Sequence, residues 1–183
     1  MGFESDAELI EVHGGDAAIV FLGGDIDETL ASKVVQSLYK HRAAGKTEVT
    51  LFISSGGGML SASVAIADAV RACRDYGMEV HGLVTGMCAS GAVFPLLECS
   101  TRKATPMSVL MVHGMVDTIH GDQQNQKIQQ ALNDKLVEQH IEYFASKTKR
   151  TEPEYWRPIL ESATPHYYMA DEAVVEGIVD AVI

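Results

Sequence analysis

The residues best suited to chemistry are a serine, Ser90, and a histidine, His113. A serine hydroxyl becomes a strong nucleophile when a neighbouring base takes its proton, and histidine suits that exchange because it titrates near neutral pH. The oxygen of an attacked carbonyl then gains negative charge, which backbone N–H groups at glycine loops and helix starts stabilise. Gly58 and Gly91 are the predicted donors. The pattern indicates hydrolysis of a carbonyl compound, and this chemistry needs no metal ion and no organic cofactor.

Each of these residues has a plainer interpretation when it is considered alone. Ser90 could cap a helix, and a single histidine at a strand end is more often a packing or surface residue. The segment at residues 54–58 could be a tight turn or a phosphate loop, but it lacks the lysine of a P-loop and the glycine spacing of a dinucleotide site. Residues 88–92 do not match the G-x-S-x-G elbow of α/β-hydrolases. Nucleotide binding is therefore disfavoured.

Strands and helices alternate along the chain. Short apolar runs bounded by glycine or polar residues predict four strands, at residues 17–22, 49–53, 80–85 and 109–112. The glycine segment, Ser90 and His113 follow the last three of these runs. Because α/β folds build their sites at the ends of strands, the pattern predicts an α/β fold with one site.

Several helices are also predicted. Apolar residues spaced four apart predict a helix after the first strand, with Asp25 as its N-cap and Gly45 closing it. Residues 123–147 predict a long amphipathic helix, which either packs on the core or projects as an arm that contacts another subunit. Thr151 and Glu154 resemble a capping box and predict a shorter helix that begins there.

Composition excludes several classes of protein. The 183 residues are 46% apolar, which predicts a single globular domain over residues 1–183. The formal net charge of −11 disfavours nucleic acid as a partner. The longest apolar runs fall far short of the ~20 residues that a bilayer span requires, and no secretory signal is evident. Three cysteines without zinc or disulfide spacing predict small buried side chains and a cytoplasmic location.

Six short blocks, taken in order, resemble the signature blocks of the proteolytic subunit of the Clp protease (ClpP). They lie at residues 21–26, 53–58, 86–90, 109–113, 171–173 and 177–180. The resemblance covers residues 20–183, and several motifs in order are more specific than any single one. It implies an αβ superhelix of the ClpP and crotonase type, with residues 123–147 as a projecting handle helix.

The same resemblance implies roles for individual residues. Ser90 matches the nucleophile, His113 matches the general base, and Gly58 and Gly91 match the residues whose N–H groups form the oxyanion hole. Glu161 stands where the family has the aspartate of its catalytic triad. A glutamate can still accept a hydrogen bond from the imidazole, although its extra methylene requires a shifted backbone.

The resemblance also implies a substrate and partners. An unfolded protein or peptide would pair its main chain with Gly57, Met59 and Leu60, inside an oligomer of stacked heptameric rings. The family's partner is a AAA+ unfoldase, but only nineteen residues precede Val20, which argues against docking of such a partner. Leu160 replaces an arginine that the family uses in contacts between rings, so that contact must be absent or rebuilt.

Three other functions stay open. The altered acid and loop are compatible with a ClpP-like ring subunit or scaffold without catalytic activity. An acyl-CoA enzyme of the crotonase superfamily would share the fold and the paired N–H donors, although the Ser90 and His113 pair favours hydrolysis. A phage head-maturation protease, which works without an unfoldase, also fits the pattern and the short N-terminal segment.

Overall fold

The computed structural model describes residues 12–14, 17–115 and 122–183, and these contain eight strands and six α-helices. The strands are β1 (Val12–Gly14), β2 (Ala17–Ile26), β3 (Glu48–Gly58), β4 (Glu79–Ala89), β5 (Thr101–Ala104), β6 (Val109–Val112), β7 (His166–Met169) and β8 (Ala181–Val182). The helices are α1 (Glu28–Ala43), α2 (Leu60–Asp75), α3 (Val93–Leu97), α4 (Gln123–Lys147), α5 (Pro153–Leu160) and α6 (Ala170–Glu176). The N-terminal residues 1–11, on which the expectation about unfoldase docking depends, lie outside the described residues.

The strands form one mixed sheet in the order β1-β2-β3-β4-β5-β8. From β2 to β8 in this order each strand runs parallel to the next, whereas β1 is antiparallel to β2. The end of β4 also pairs in parallel with β6, which in turn pairs antiparallel with β7. Parallel strands joined through helices are typical of α/β proteins. The architecture confirms the predicted fold class.

The core lies where the helices cover the sheet. Alternate residues of the central strands are fully buried, such as Leu51 and Ile53 of β3 and Val80 and Val84 of β4. The largest buried side chain is Trp156 of α5. Its indole N–H donates to the backbone carbonyl of residue 150, which ties α5 to the end of α4. This core holds the ends of β3, β4 and β6 in fixed positions.

Three strands are longer than the sequence predicts. The apolar runs at residues 17–22, 49–53 and 80–85 mark only the first parts of β2, β3 and β4, and buried residues such as Ser55 and Cys88 follow them. The glycine segment remains in the sheet because Gly57 and Gly58 pair with Asp25 and Ile26 of β2, after a register shift. The expectation of a tight turn at residues 54–58 is therefore wrong.

The helix caps also differ from expectation. Because β2 continues to Ile26, the N-cap of α1 is Asp27 and not Asp25, and the Leu30 N–H donates to its carboxylate at 2.7 Å. The capping box predicted for α5 is wrong as well. The N-cap is Glu152, which makes no capping hydrogen bond through its side chain, and Pro153 fills the first helical position, where no N–H donor is needed.

Helix α4 begins and ends at the predicted residues, and its two halves differ. Ile141, Phe144 and Ala145, near its C-terminus, are buried against the core. Ile128 and Leu132, in the N-terminal half, are 58% and 55% exposed. The C-terminal half of α4 therefore packs on the core, as one interpretation of the sequence predicts. The N-terminal half exposes apolar side chains, as the other interpretation predicts.

The three cysteines are free and buried, as the sequence predicts. Burial raises the pKa of the Cys88 thiol, and it raises the pKa of Cys99 to about 12. These thiols therefore stay protonated at neutral pH and serve as small apolar side chains. No helix within the described ranges combines the length and the apolar character that crossing a bilayer requires.

Candidate active site

Ser90 lies at the junction between β4 and a single turn of 3-10 helix at Ser90–Ala92. Its φ is +53°, and no other residue except glycine has a positive φ among the described residues. A left-handed backbone costs a residue other than glycine roughly 1–2 kcal/mol. Such strain persists where the surrounding structure imposes it, and it concentrates at functional sites. Two close contacts enclose this turn, one from β3 and one from the Ser63 side chain of α2.

The end of β3 packs directly behind Ser90. A Cβ added at Gly57 would lie 2.8 Å from the Ser90 Cβ and 2.6 Å from the carbonyl oxygen of Ala89. A Cβ added at Gly58 would lie 2.2 Å from the carbonyl oxygen of Ile26. Both glycines also have a positive φ. Only glycine allows these two backbones to approach so closely, which explains the glycine segment structurally.

Gly91 has a similar restriction. A Cβ at this position would lie 2.3 Å from the Ser63 hydroxyl of α2 and 3.4 Å from the carbonyl oxygen of Gly58. The two glycines predicted to stabilise an oxyanion therefore lie beside each other and beside Ser90. Gly58 lies in β3, Ser90 and Gly91 lie in the turn after β4, and α2 contributes the Ser63 side chain that packs against them.

His113 follows β6, and β6 pairs with the part of β4 that leads to Ser90. Its Nδ1 donates to the Gly114 carbonyl oxygen at 2.5 Å. Because a carbonyl oxygen only accepts hydrogen bonds, Nδ1 carries the proton and Nε2 is left as the basic nitrogen of the neutral ring. This is the tautomer that a general base for a serine hydroxyl requires.

One cavity of about 590 Å³ is lined by most of the predicted site residues. They are Gly58, Met59, Leu60, Ser90, Gly91 and His113. The other walls are mainly apolar, from Phe94, Leu136, Phe144 and Leu160. Gly57 does not line the cavity, and its backbone supports Ser90 from behind. A peptide in this cavity would meet a hydroxyl, an imidazole and two glycine backbones among apolar walls.

The carboxylate of Glu161 is not among these walls. Glu161 caps α5, and its half-exposed carboxylate accepts a hydrogen bond from Arg157 at 2.9 Å. Arg157 also donates to Glu138 of α4 at 2.9 Å, and these contacts raise the pKa of Arg157. Glu161 lines a neighbouring pocket with Glu138, whereas the His113 ring is bonded to Gly114.

The backbone of this segment nevertheless lies close to His113. The Gly114 N–H donates to the carbonyl of Ser162 at 2.7 Å, and a Cβ on Gly114 would lie 2.3 Å from the carbonyl oxygen of Leu160. Leu160 itself is buried and lines the cavity. The structure therefore brings the Glu161 segment beside the histidine and turns its carboxylate towards Arg157.

The sequence indicates only a packing or surface role for His140, which in the structure lines the same cavity. The signal was present, because His140 falls between Leu136 and Phe144 in the four-residue spacing of the apolar stripe of α4. Its ring packs edge-on against Phe94 at 5.0 Å between centroids. Burial lowers the pKa of His140, so its ring is neutral at pH 7.

No group of three or more His, Cys, Asp or Glu side chains within residues 12–14, 17–115 and 122–183 is placed to hold a metal ion. The described site therefore offers a hydroxyl, an imidazole and backbone donors as its reactive groups.

Known proteins resemble this chain over most of its length. The model of the Clp protease family matches residues 14–183. The chain is 31% identical over 172 residues to the ATP-dependent Clp protease proteolytic subunit 3, chloroplastic, of Arabidopsis thaliana. The aligned segment covers 90% of this chain and 52% of that protein. It is also 31% identical over 171 residues to the ATP-dependent Clp protease proteolytic subunit 2 of Chlamydia pneumoniae, which is 90% of this chain and 80% of that protein.

The chain thus spans about half the length of the Arabidopsis relative and about four fifths of the Chlamydia relative. The family model covers all the elements that form the cavity, from β2 to β8. The order and spacing of the blocks around Ser90 and His113 are explained by this match. The chain belongs to the Clp protease family.

Proposed function

We propose that the protein is a serine endopeptidase that cleaves peptide bonds of unfolded proteins or peptides through an acyl-enzyme. The observation that carries this proposal is the cavity in which Ser90, held in a left-handed backbone, faces the same space as His113, Gly58 and Gly91. The hydrogen bond of His113 also supports it, because it occupies Nδ1 and leaves Nε2 as the ring nitrogen that can accept a proton. No metal ion and no cofactor enters the proposed reaction.

In the proposed mechanism, His113 Nε2 takes the proton of the Ser90 hydroxyl while the oxygen attacks the peptide carbonyl. The backbone N–H groups of Gly58 and Gly91 stabilise the negative oxygen of the tetrahedral intermediate. His113 then gives its proton to the leaving amine, and the acyl-enzyme forms. Water, activated by the same imidazole, releases the second product and restores the hydroxyl.

We propose that Glu161 orients the imidazole during turnover. Its segment lies next to Gly114, so rotation of the side chain away from Arg157 is the change that would direct the carboxylate towards His113 Nδ1. An exposed ion pair contributes only about 0–1 kcal/mol, so the contact with Arg157 opposes this rotation weakly. The Gly114 carbonyl holds the ring when Glu161 does not.

The substrate chain would lie along the edge of the cavity, with its backbone against Met59 and Leu60. Gly57, the third predicted substrate contact, would shape this edge from its position behind Ser90. Met59 is 47% exposed beside the cavity and is therefore accessible to such a chain. The apolar walls suit the side chains that unfolded proteins expose. Broad specificity is expected, because most contacts of this kind involve the substrate's main chain.

We also propose that residues 1–183 act as a single peptidase domain and assemble into stacked heptameric rings in the cytoplasm. The exposed apolar half of α4, with Ile128 and Leu132, supports self-association because such surfaces usually contact a partner. The free buried cysteines support a reducing compartment.

One observation favours a second candidate, a ring subunit without catalytic activity. The Glu161 carboxylate is bonded to Arg157 and not to His113. A subunit that only supports assembly would tolerate this arrangement. A crotonase-type acyl-CoA enzyme and a phage head-maturation protease remain outcomes of the experiment below.

The experiment compares the purified chain with two variants on fluorogenic peptides and on an unfolded protein. The proposal expects cleavage by the wild type, loss of at least about a thousandfold in Ser90→Ala, and normal cleavage by Ser32→Ala, which changes an exposed serine of α1. Absence of cleavage by the assembled wild type would support the scaffold. Turnover of an acyl-CoA thioester without peptide cleavage would support the crotonase-type enzyme.

A further inference from the structure

A second cavity, of about 890 Å³, adjoins the cavity that contains Ser90. The two cavities share the lining residues Leu60, Ser61, Phe94, Leu136 and His140. The shared residues come from α2, α3 and α4. These residues form the boundary between the two cavities, so a large side chain that enters beside Ser90 can reach His140.

His140 places ring nitrogens at this boundary, between the apolar side chains of Leu60, Phe94 and Leu136. Its ring lies edge-on to Phe94, with an interplanar angle of 65°, one helical turn from both Leu136 and Phe144. Within the part of the chain that the structure describes, neither ring nitrogen of His140 has a hydrogen-bond partner in the protein. A neutral imidazole offers one N–H donor and one acceptor, so it can bond to a hydroxyl or an amide of a ligand.

The buried charges of the second cavity are already paired. The Glu98 carboxylate, 2% exposed, accepts hydrogen bonds from the Tyr143 hydroxyl and the Lys147 ammonium, both at 2.9 Å. Asp68 and Arg71 form an ion pair with each other. These contacts hold the wall of the cavity together. At the boundary of the two cavities the remaining polar side chains are His140 and Ser61, and His140 is the one that carries a ring nitrogen acceptor.

We propose that His140 determines specificity by selecting a substrate side chain with an apolar body and a hydrogen-bonding tip, such as tyrosine. This inference rests on the proposed peptidase function. The apolar walls accept the ring of either tyrosine or phenylalanine, and the imidazole bonds to the hydroxyl that only tyrosine carries. A site built to bond a hydroxyl discriminates against the analogue that lacks it, because its own polar group is then left without a partner.

The test uses two peptides that are identical except for tyrosine or phenylalanine before the scissile bond. If His140 makes one net hydrogen bond to the tyrosine hydroxyl, the wild type should cleave the tyrosine peptide with a kcat/KM roughly 3- to 10-fold higher than that of the phenylalanine peptide. In His140→Leu the ratio falls to about one, with most of the change on the tyrosine peptide. His140→Gln, which keeps a hydrogen-bonding group, retains part of the preference.

Two controls keep the test decisive. His81→Leu removes a histidine of β4 that bonds to Thr101 away from the cavity, and it should leave the ratio unchanged. If His140→Leu does not fold, His140→Met tests the same loss with a flexible side chain. A wild-type ratio near one, or the same ratio in His140→Leu or His140→Met as in the wild type, would overturn the inference. Absence of cleavage of both peptides by the wild type would instead overturn the proposed peptidase function.

Discussion

A single methyl group at residue 57 should strongly lower the proposed peptidase activity without unfolding the protein. In Gly57→Ala the new Cβ would lie 2.8 Å from the Ser90 Cβ and 2.8 Å from the Gly91 nitrogen. The shortest new contact, with the carbonyl oxygen of Ala89, would be 2.6 Å, and ordinary contacts begin at 3.4 Å, so the turn that carries Ser90 must move by about 0.8 Å. The backbone of Gly57 cannot yield easily, because it pairs with Asp25 in the sheet.

The expected magnitudes follow from these distances. A misplacement of about 1 Å costs a reaction roughly a hundredfold, so a shift of this size should lower kcat/KM at least tenfold. The φ of +95° adds a second cost. A left-handed backbone destabilises alanine by about 1–2 kcal/mol, which in a domain of this size lowers Tm by roughly 2–8 °C.

The assay measures kcat/KM on a peptide and Tm by circular dichroism for Gly57→Ala and for its neighbour Gly56→Ala. Gly56 is the matched control because it is exposed and a Cβ there would meet no atom within 4 Å. The control should stay near wild type in both measurements. Wild-type activity in folded, assembled Gly57→Ala would refute the claim that close packing behind the serine sets its position.

Two further predictions concern carboxylates. If Glu161 orients the His113 imidazole, Glu161→Gln and Glu161→Ala should each lower kcat towards the ~10⁴-fold loss that follows from disabling a triad acid. A loss below about tenfold would mean that the Gly114 carbonyl orients the ring alone. At a distant site, a hydrogen bond from Arg150 lowers the pKa of the Glu176 carboxyl. This pair therefore stabilises the fold at pH values above the ordinary carboxyl pKa of about 4.5. The stabilisation is lost as the pH falls below that value. Urea denaturation should show the largest difference between wild type and Glu176→Gln at pH 7 and a smaller one at pH 3, and a difference independent of pH would contradict this assignment.

The placement of Ser90 and His113 at one cavity was predictable because it depends on local signals. Ser90 and His113 each follow an apolar run, and the ends of parallel strands meet at one edge of a sheet. The predicted bounds of β6 and α4 match the structure for the same reason, since periodicity and flanking residues mark them. Membership of the Clp protease family was likewise evident from the order of the motifs.

The remaining features depend on contacts between distant segments. The glycine segment is a strand because it pairs with Asp25 and Ile26, a register that local composition does not show. The direction of the Glu161 carboxylate depends on Arg157, which in turn contacts Glu138 on another helix. The sequence assigns His140 no function because a histidine in an apolar stripe is ordinarily a packing residue, and it is the position of the cavity that suggests a further role.

Covalent labelling of the assembled protein with a fluorophosphonate tests the activated serine most directly. Mass spectrometry of the digested protein should find one adduct, on the peptide that contains Ser90, and the adduct should disappear in His113→Ala. A protein that forms no adduct, or one that is labelled on a different serine, would contradict the assignment of the nucleophile and its base.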